Sequence, residues 1–152
     1  MGDTEKRVLV GSDHAAVTMR NDLATHLRGR GFQVDEVGPA DGERSDYPDK
    51  AFVVGRAVST GDAALGVLVC GTGIGMSIAA NKVPGVRAAL VHDAQTAELA
   101  AMHNDANVLC LGGRLLEPGT ARELVDLWLN TAFEERHQAR LDKITHLEHD
   151  QI

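Results

Sequence analysis

The chain has 152 residues, 43% hydrophobic and 24% charged, enough apolar mass to close one core in a single domain spanning 1–152. Its formal net charge of −7 excludes a nucleic-acid binder, which needs many phosphate-neutralising cations, but not a small anionic substrate held by a local cluster. No apolar run reaches the roughly 18 residues of a membrane span, Met1–Lys6 has no signal-peptide core, and Cys70 and Cys110 stand in no zinc or redox spacing; the reading is a cytoplasmic protein with two free thiols. Residues 1–5 are expected to be flexible.

Taken in order, Lys6–Gly11 reads as a buried strand. Ala16, Met19, Leu23 and Leu27 then recur at helical spacing, and Gly29 and Gly31 stop that helix. Phe32–Val37 is a second strand and Gly38–Tyr47 a polar loop, with Pro48 suited to the first position of a second helix. Leu65–Cys70 is the third strand, followed by a Gly-rich turn and a helix from about Gly75 to Asn81. Arg87–Val91 is the fourth strand, and Asp93 caps a helix to Met102. Val108–Leu111 is the fifth strand. Pro118 opens a helix carrying Ala121, Leu124, Val125 and Trp128, and a last helix runs from about Phe133 to Glu148.

Short apolar strands alternating with helices indicate an α/β fold, a Rossmann-like three-layer sandwich around a five-stranded parallel sheet, with an added C-terminal helix. The expected strand order is 2-1-3-4-5, with its switch point between strands 1 and 3, outside whose carboxyl ends ligands bind. Those ends are Gly11-Ser12-Asp13-His14 and Cys70-Gly71-Thr72-Gly73-Ile74-Gly75, the two turns richest in glycine and polar groups.

Alternate glycines at 71, 73 and 75 let several backbone N–H groups turn inward and form an anion hole at the following helix. Cys70 immediately precedes those donors, a setting that favours a thiolate, whereas Cys110 lies between Leu109 and Leu111 as a buried strand residue. Among the histidines, His14 lies at the carboxyl edge and His103 stands in polar company before strand 5. Arg136 and Arg140 share a helix face with no acidic residue three or four positions away on that helix, so they are free to hold a phosphate; Arg114, after two glycines, is a third such residue.

A cysteine phosphatase would need Arg where Met76 stands. A dinucleotide enzyme would use Gly71-x-Gly73 and Asp93, but Met76 replaces its third glycine. A non-catalytic nucleotide-binding module would explain the loop and the arginines while giving Cys70, His103 and Asn104 no task.

The stretches GSDHAA (11–16), DYPDKA (46–51), CGTGIGMSIAANKVPGVRAAL (70–90), HNDANVLCLGGR (103–114) and RHQARLDKI (136–144) together resemble the ribose/galactose sugar-phosphate isomerase family, in its ribose-5-phosphate isomerase B branch. The resemblance implies aldose–ketose interconversion of ribose 5-phosphate and ribulose 5-phosphate through an enediolate, with neither metal nor organic cofactor. Isomerisation of a tetrose 4-phosphate or a hexose 6-phosphate is the alternative within the family. By position, Cys70 corresponds to the base and His103 to the residue that opens the sugar ring; Thr72 can bond the thiolate or a substrate oxygen. Asp13, His14, Gly71, Thr72, Gly73, Ile74, Gly75, Asn104, Arg114, Arg136 and Arg140 match substrate-binding positions, and Tyr47 lies in a matching stretch. Some relatives carry Glu at the place of Met76, so this chain is of the Cys type.

In the order 2-1-3-4-5, strand 5 lies two spacings from strand 3, roughly 10 Å. That puts His103, Asn104 and Arg114 at the wrong edge for a site at Cys70. A homodimer, alone or paired into a tetramer, is therefore expected to share its active sites, with these three residues acting in trans.

Overall fold

The computed structural model describes residues 6–150, so the flexibility expected of 1–5 lies outside the described residues. The strands are β1 (Arg7–Ser12), β2 (Gln33–Val37), β3 (Leu65–Cys70), β4 (Ala88–Leu90) and β5 (Val108–Gly112). The helices are α1 (Val17–Gly29), α2 (Tyr47–Thr60), α3 (Ile74–Ala80), α4 (Ala94–Met102), α5 (Pro118–Asn130) and α6 (Gln138–His149). Single 3-10 turns at His14–Ala16 and Glu135–His137 precede α1 and α6, so the last predicted helix is a turn followed by a helix.

Local chemistry accounts for the boundaries. Asp93 accepts from the Thr96 N–H while the Thr96 hydroxyl returns to the Asp93 backbone, a capping box that starts α4. Those bonds, the Thr96 N–H above all, hold the Asp93 carboxyl below its ordinary range. Pro48 sits in the first turn of α2, one place after Tyr47, where no helical N–H is needed.

The pleat sorts the core into two layers. Val8, Val10, Val67, Val69, Leu109 and Leu111 face one way, onto α1, α4 and α5, with Leu23, Leu27 and Trp128. Leu9, Leu68, Cys70, Val108 and Cys110 face the other, onto Val54 of α2 and Met76 of α3. Burial pushes the Cys110 thiol far up, with the nearby Cys70 adding to the shift. Met76 is wholly buried in the same layer, a packing role that leaves it no reach to a substrate.

The sheet is parallel in the order β2-β1-β3-β5-β4, which corrects the expected 2-1-3-4-5. β5 is the inner strand: Cys70 pairs with Gly112 and Gly66 with Val108, while Ala88–Leu90 pair on its outer side. The reason is burial. All five residues of β5 are buried, as a strand covered on both faces and flanked on both sides requires, whereas β4 is half-buried at Ala88 and Ala89 and exposed at Leu90. β4 is short, and its outer side is partly closed by a side chain: the Asn81 amide donates to the Ala88 carbonyl (3.0 Å) and its oxygen accepts from the Ala88 N–H (2.8 Å).

Candidate active site

The carboxyl ends of β1, β3 and β5 meet at Cys70. Gly73 has φ 80°, a left-handed conformation natural to glycine, and a Cβ there would lie 2.9 Å from the Leu111 carbonyl carbon. That turn aims the Gly73 N–H back at Cys70 Sγ, 3.2 Å away, to which it donates. Cys70 is 5% exposed, so the thiol is sheltered. The Ile74 N–H is engaged by Thr72 Oγ1 (3.2 Å), so this donor of the predicted hole is already occupied and the Thr72 hydroxyl keeps its own proton to donate.

Around this loop stand the other predicted groups. The Arg114 guanidinium lies against Gly71, where a Cβ would be 3.1 Å from Nη1, and the Arg114 N–H donates to the Gly71 carbonyl (3.0 Å). Arg114 is therefore beside Cys70 of its own chain; the expectation that it acts in trans is corrected, because β5 neighbours β3 directly. The Tyr47 ring covers Gly75 so closely that a Cβ there would be 2.7 Å from its Cε2 and Cζ. Asp13 is buried and Oδ1 accepts from the Ala15 N–H (2.9 Å), which turns the chain at the end of β1. His14 is exposed, its Nδ1 fixed 2.9 Å from the Ser45 carbonyl and 3.3 Å from the Ser45 N–H. A donated Nδ1 proton would leave the Nε2 lone pair for a ligand.

The remaining predicted residues are not there. His103 caps the C-terminus of α4, and Asn104 follows it, with its carbonyl accepting from Arg87 Nε (3.2 Å). Both precede β5 at the level of Gly66, whose N–H bonds Asn107, whereas Cys70 is level with Gly112. The five residues of β5, at about 3.3 Å each, put roughly 16 Å between the two groups.

At this amino edge a second cluster forms. The Glu134 N–H donates to the Met102 carbonyl (3.0 Å) and pins the start of the final segment beneath α4. The His103 and His137 rings then lie 4.3 Å apart, tilted by 40°. Arg140 Nη1 approaches His137 Nδ1 (3.5 Å). Arg136 is not unpaired, as its helix neighbours suggested: its Nε binds Glu134, two residues back in the 3-10 turn, and that bond holds the Glu134 carboxyl below its usual range. His137 lies in the sequence on the same helical arc as the two arginines, but that placement gives it no role.

A groove of about 550 Å³ lies near this cluster and not at Cys70. Val86, Ala88, Asn104, Ala106, Ile144 and Leu147 line it, between the β4 edge and α6. With an arginine and a sheltered thiol at one end of β5, and arginines and a histidine pair at the other, each end carries part of the equipment for proton transfer on an anionic substrate.

Residues 8–144 match the ribose/galactose isomerase family. The chain is 41% identical to the ribose-5-phosphate isomerase B of Escherichia coli over 144 residues, 94% of this chain and 97% of that one. It is 38% identical to a D-erythrulose-4-phosphate isomerase of Pectobacterium atrosepticum, across 95% and 96% of the two chains. The structure of the type B ribose 5-phosphate isomerase of Trypanosoma brucei superposes with a TM-score of 0.89 at 47% identity, covering 93% of this chain and 98% of that one.

Proposed function

The chain belongs to the ribose/galactose isomerase family, and from that premise we propose that its two clusters are halves of one active site, each contributed by a different copy of the chain. The enzyme is an aldose–ketose isomerase, with D-ribose 5-phosphate and D-ribulose 5-phosphate as its substrate pair. His103 of one copy opens the furanose by moving a proton between the ring oxygen and the O1 hydroxyl. The Cys70 thiolate of the other takes the C2 proton of the open aldose. The electron pair moves into a C1–C2 double bond and negative charge gathers on O1. The backbone donors of 71–75 not already taken by Cys70 Sγ and Thr72 Oγ1, together with the Thr72 hydroxyl, face that oxygen, and such preorganised donors are worth about 3–4 kcal/mol each where measured. The Cys70 thiol then returns the proton to C1 while the C2 hydroxyl passes its proton to O1, which leaves a C1 hydroxyl and a C2 ketone. Arg114, Arg136, Arg140 and His14 hold the phosphate, and that remote binding keeps the opened sugar over Cys70. Asp13 and Asn104 complete the contacts with the sugar.

The observation that carries this reading is the opposition of Cys70 and His103 across the length of β5. A five-carbon substrate cannot bridge roughly 16 Å within one chain while reacting at both. A two-fold contact that brings one copy's amino edge to the other's carboxyl edge makes two complete sites. Apolar side chains left in solvent support such a contact: Ile74 and Ile78 on α3, Leu90 on β4, and Ile144 and Leu147 on α6. The two free thiols support a reducing, cytoplasmic location.

The test is complementation. Cys70→Ala and His103→Ala proteins, each nearly inactive, are unfolded together and refolded. A mixed dimer holds one site with both residues, so activity should return toward half the wild-type value per mixed dimer. Heterodimers that form and stay as inactive as their parents would place both residues in one site of one chain. Turnover of tetrose 4-, pentose 5- and hexose 6-phosphates, side by side, decides substrate length; the four-carbon reading has the Pectobacterium relative in its favour.

A further inference from the structure

His137 is 4% exposed, and its Nε2 is buried without a hydrogen-bond partner. One face of the ring lies on His103 and Nδ1 meets Arg140, while Glu134 Oε2 stands 3.9 Å from Nε2. A polar atom sealed away from water is a cost, and sequences keep such atoms where the rest of the side chain is needed. Ligand-type atoms of His103, Glu134 and His137 come within 4.8 Å of one another, a spacing that would suit a metal ion. Their neighbours argue otherwise: Arg136 already occupies Glu134, and a second guanidinium, Arg140, faces the same cluster and would repel a divalent cation.

We propose that His137 is a positioning residue that acts through its two neighbours: its ring face fixes the plane of His103, and its Nδ1 accepts from Arg140 and aims that guanidinium. The inference rests on the assignment of His103 and Arg140 to the substrate. The residue type follows from the surroundings. A cation at this place would repel Arg136, Arg140 and a protonated His103. A carboxylate would pair with Arg140 and cancel charge that a phosphate needs. An apolar aromatic could stack but could not accept. A neutral imidazole supplies a flat face and one acceptor with no charge. Burial first, then Arg136, His103 and Arg140, hold its pKa below 6.5 against the opposing pull of Glu134, so the ring is uncharged at neutral pH. With Nδ1 accepting, the proton resides on Nε2.

Two variants separate the two tasks. His137→Phe keeps the flat face and loses the acceptor. KM for the sugar phosphate and Ki for inorganic phosphate should each rise about tenfold, as loss of a hydrogen bond to a charged group implies, with kcat within about threefold of wild type. His137→Asn keeps an acceptor and loses the stack. Its kcat should fall about tenfold while the phosphate Ki holds within about threefold. A merely structural role would lower Tm and change both variants alike. The proposal is overturned if folded Phe and Asn variants shift the same parameter together, or if neither shifts any. Should both fail to fold, long-range 1H–15N spectra of the wild-type enzyme decide: at pH 7 the ring must be neutral and protonated on Nε2, and a charged ring or the Nδ1–H form refutes it. His103→Ala and Arg140→Ala run in parallel. If those leave kcat and phosphate Ki untouched, the site assignment fails, and not merely the role of His137.

Discussion

Replacing Gly75 with Ala should cost activity and almost no stability. The new Cβ would meet Tyr47 Cε2 and Cζ at 2.7 Å, against about 3.5–4.0 Å for a relaxed carbon pair, so the ring must retreat by roughly 1 Å. Tyr47 is 40% exposed, at the start of α2, and can swing outward into water. Overpacking at such a yielding site falls at the low end of the usual range, about 1 kcal/mol. Gly75 is also inside α3, where Ala is the better helix former by about 0.8–1.0 kcal/mol, so the two effects nearly cancel and Tm should move by under ~3 °C. What changes is the cover over the Cys70 loop. We expect kcat/KM to fall about tenfold, equivalent to about 1.4 kcal/mol of transition-state binding. A double-mutant cycle isolates the cause, since groups in contact are coupled. In a Tyr47→Ala background, Gly75→Ala should be neutral for turnover. If it is as harmful there as in the wild type, the damage comes from the loop backbone and the role given to Tyr47 is wrong.

The two cysteines should separate cleanly: Cys70→Ala should lower kcat by orders of magnitude with little change in Tm, whereas Cys110→Ala, in the sealed layer beneath α2 and α3, should mainly cost stability through a small cavity. Iodoacetamide should label Cys70 first, more slowly with substrate present, and equal labelling of Cys110 would contradict its burial. Arg140→Ala should raise KM for ribose 5-phosphate more than for free ribose; an equal loss on both would make that arginine structural. The folded-state pKa of His137 lies below 6.5, so the unfolded chain binds the extra proton first as the solution is acidified. The stability this group contributes is present above pH 6.5 and is lost as pH falls toward the folded value. Asp93, Asp126 and Glu134, also held low, add losses of the same sign at more acid pH. Thermal melts from pH 7 to pH 5 should fall less steeply for His137→Phe than for wild type, and parallel curves would refute the assignment.

The element boundaries were legible because local chemistry sets them. Leu65–Cys70 is a continuous apolar run closed by glycine, and it folds over those residues. Asp93 and Thr96 carry the start of α4 in their own side chains. The loop at 70–75 could be found because its glycine spacing and its cysteine are both local features. Strand order is a long-range property, and the error there came from following a common topology. A signal was present: Val108–Gly112 is apolar on both faces, as an inner strand must be, while Arg87-Ala88-Ala89 is small and mixed. Reading that contrast would have placed Arg114 beside Cys70 and left only the amino-edge residues to be supplied from elsewhere. The pairing of Arg136 with Glu134 is hidden in the sequence because a 3-10 turn breaks the helical spacing there. The sequence puts His137 on the arc of Arg136 and Arg140 but not against His103, since that contact depends on how α4 and the final segment converge.

The Asn81 amide does more than tidy a turn. By answering both the N–H and the carbonyl of Ala88, it takes the place that the backbone of a sixth strand would occupy. Unanswered hydrogen-bonding groups on an edge invite another chain to add itself, and a sheet extended this way repeats along a fibre. Here one side chain, fixed at the end of α3, ends the series. What looks like a small local bond thus denies an added strand its place beside Ala88.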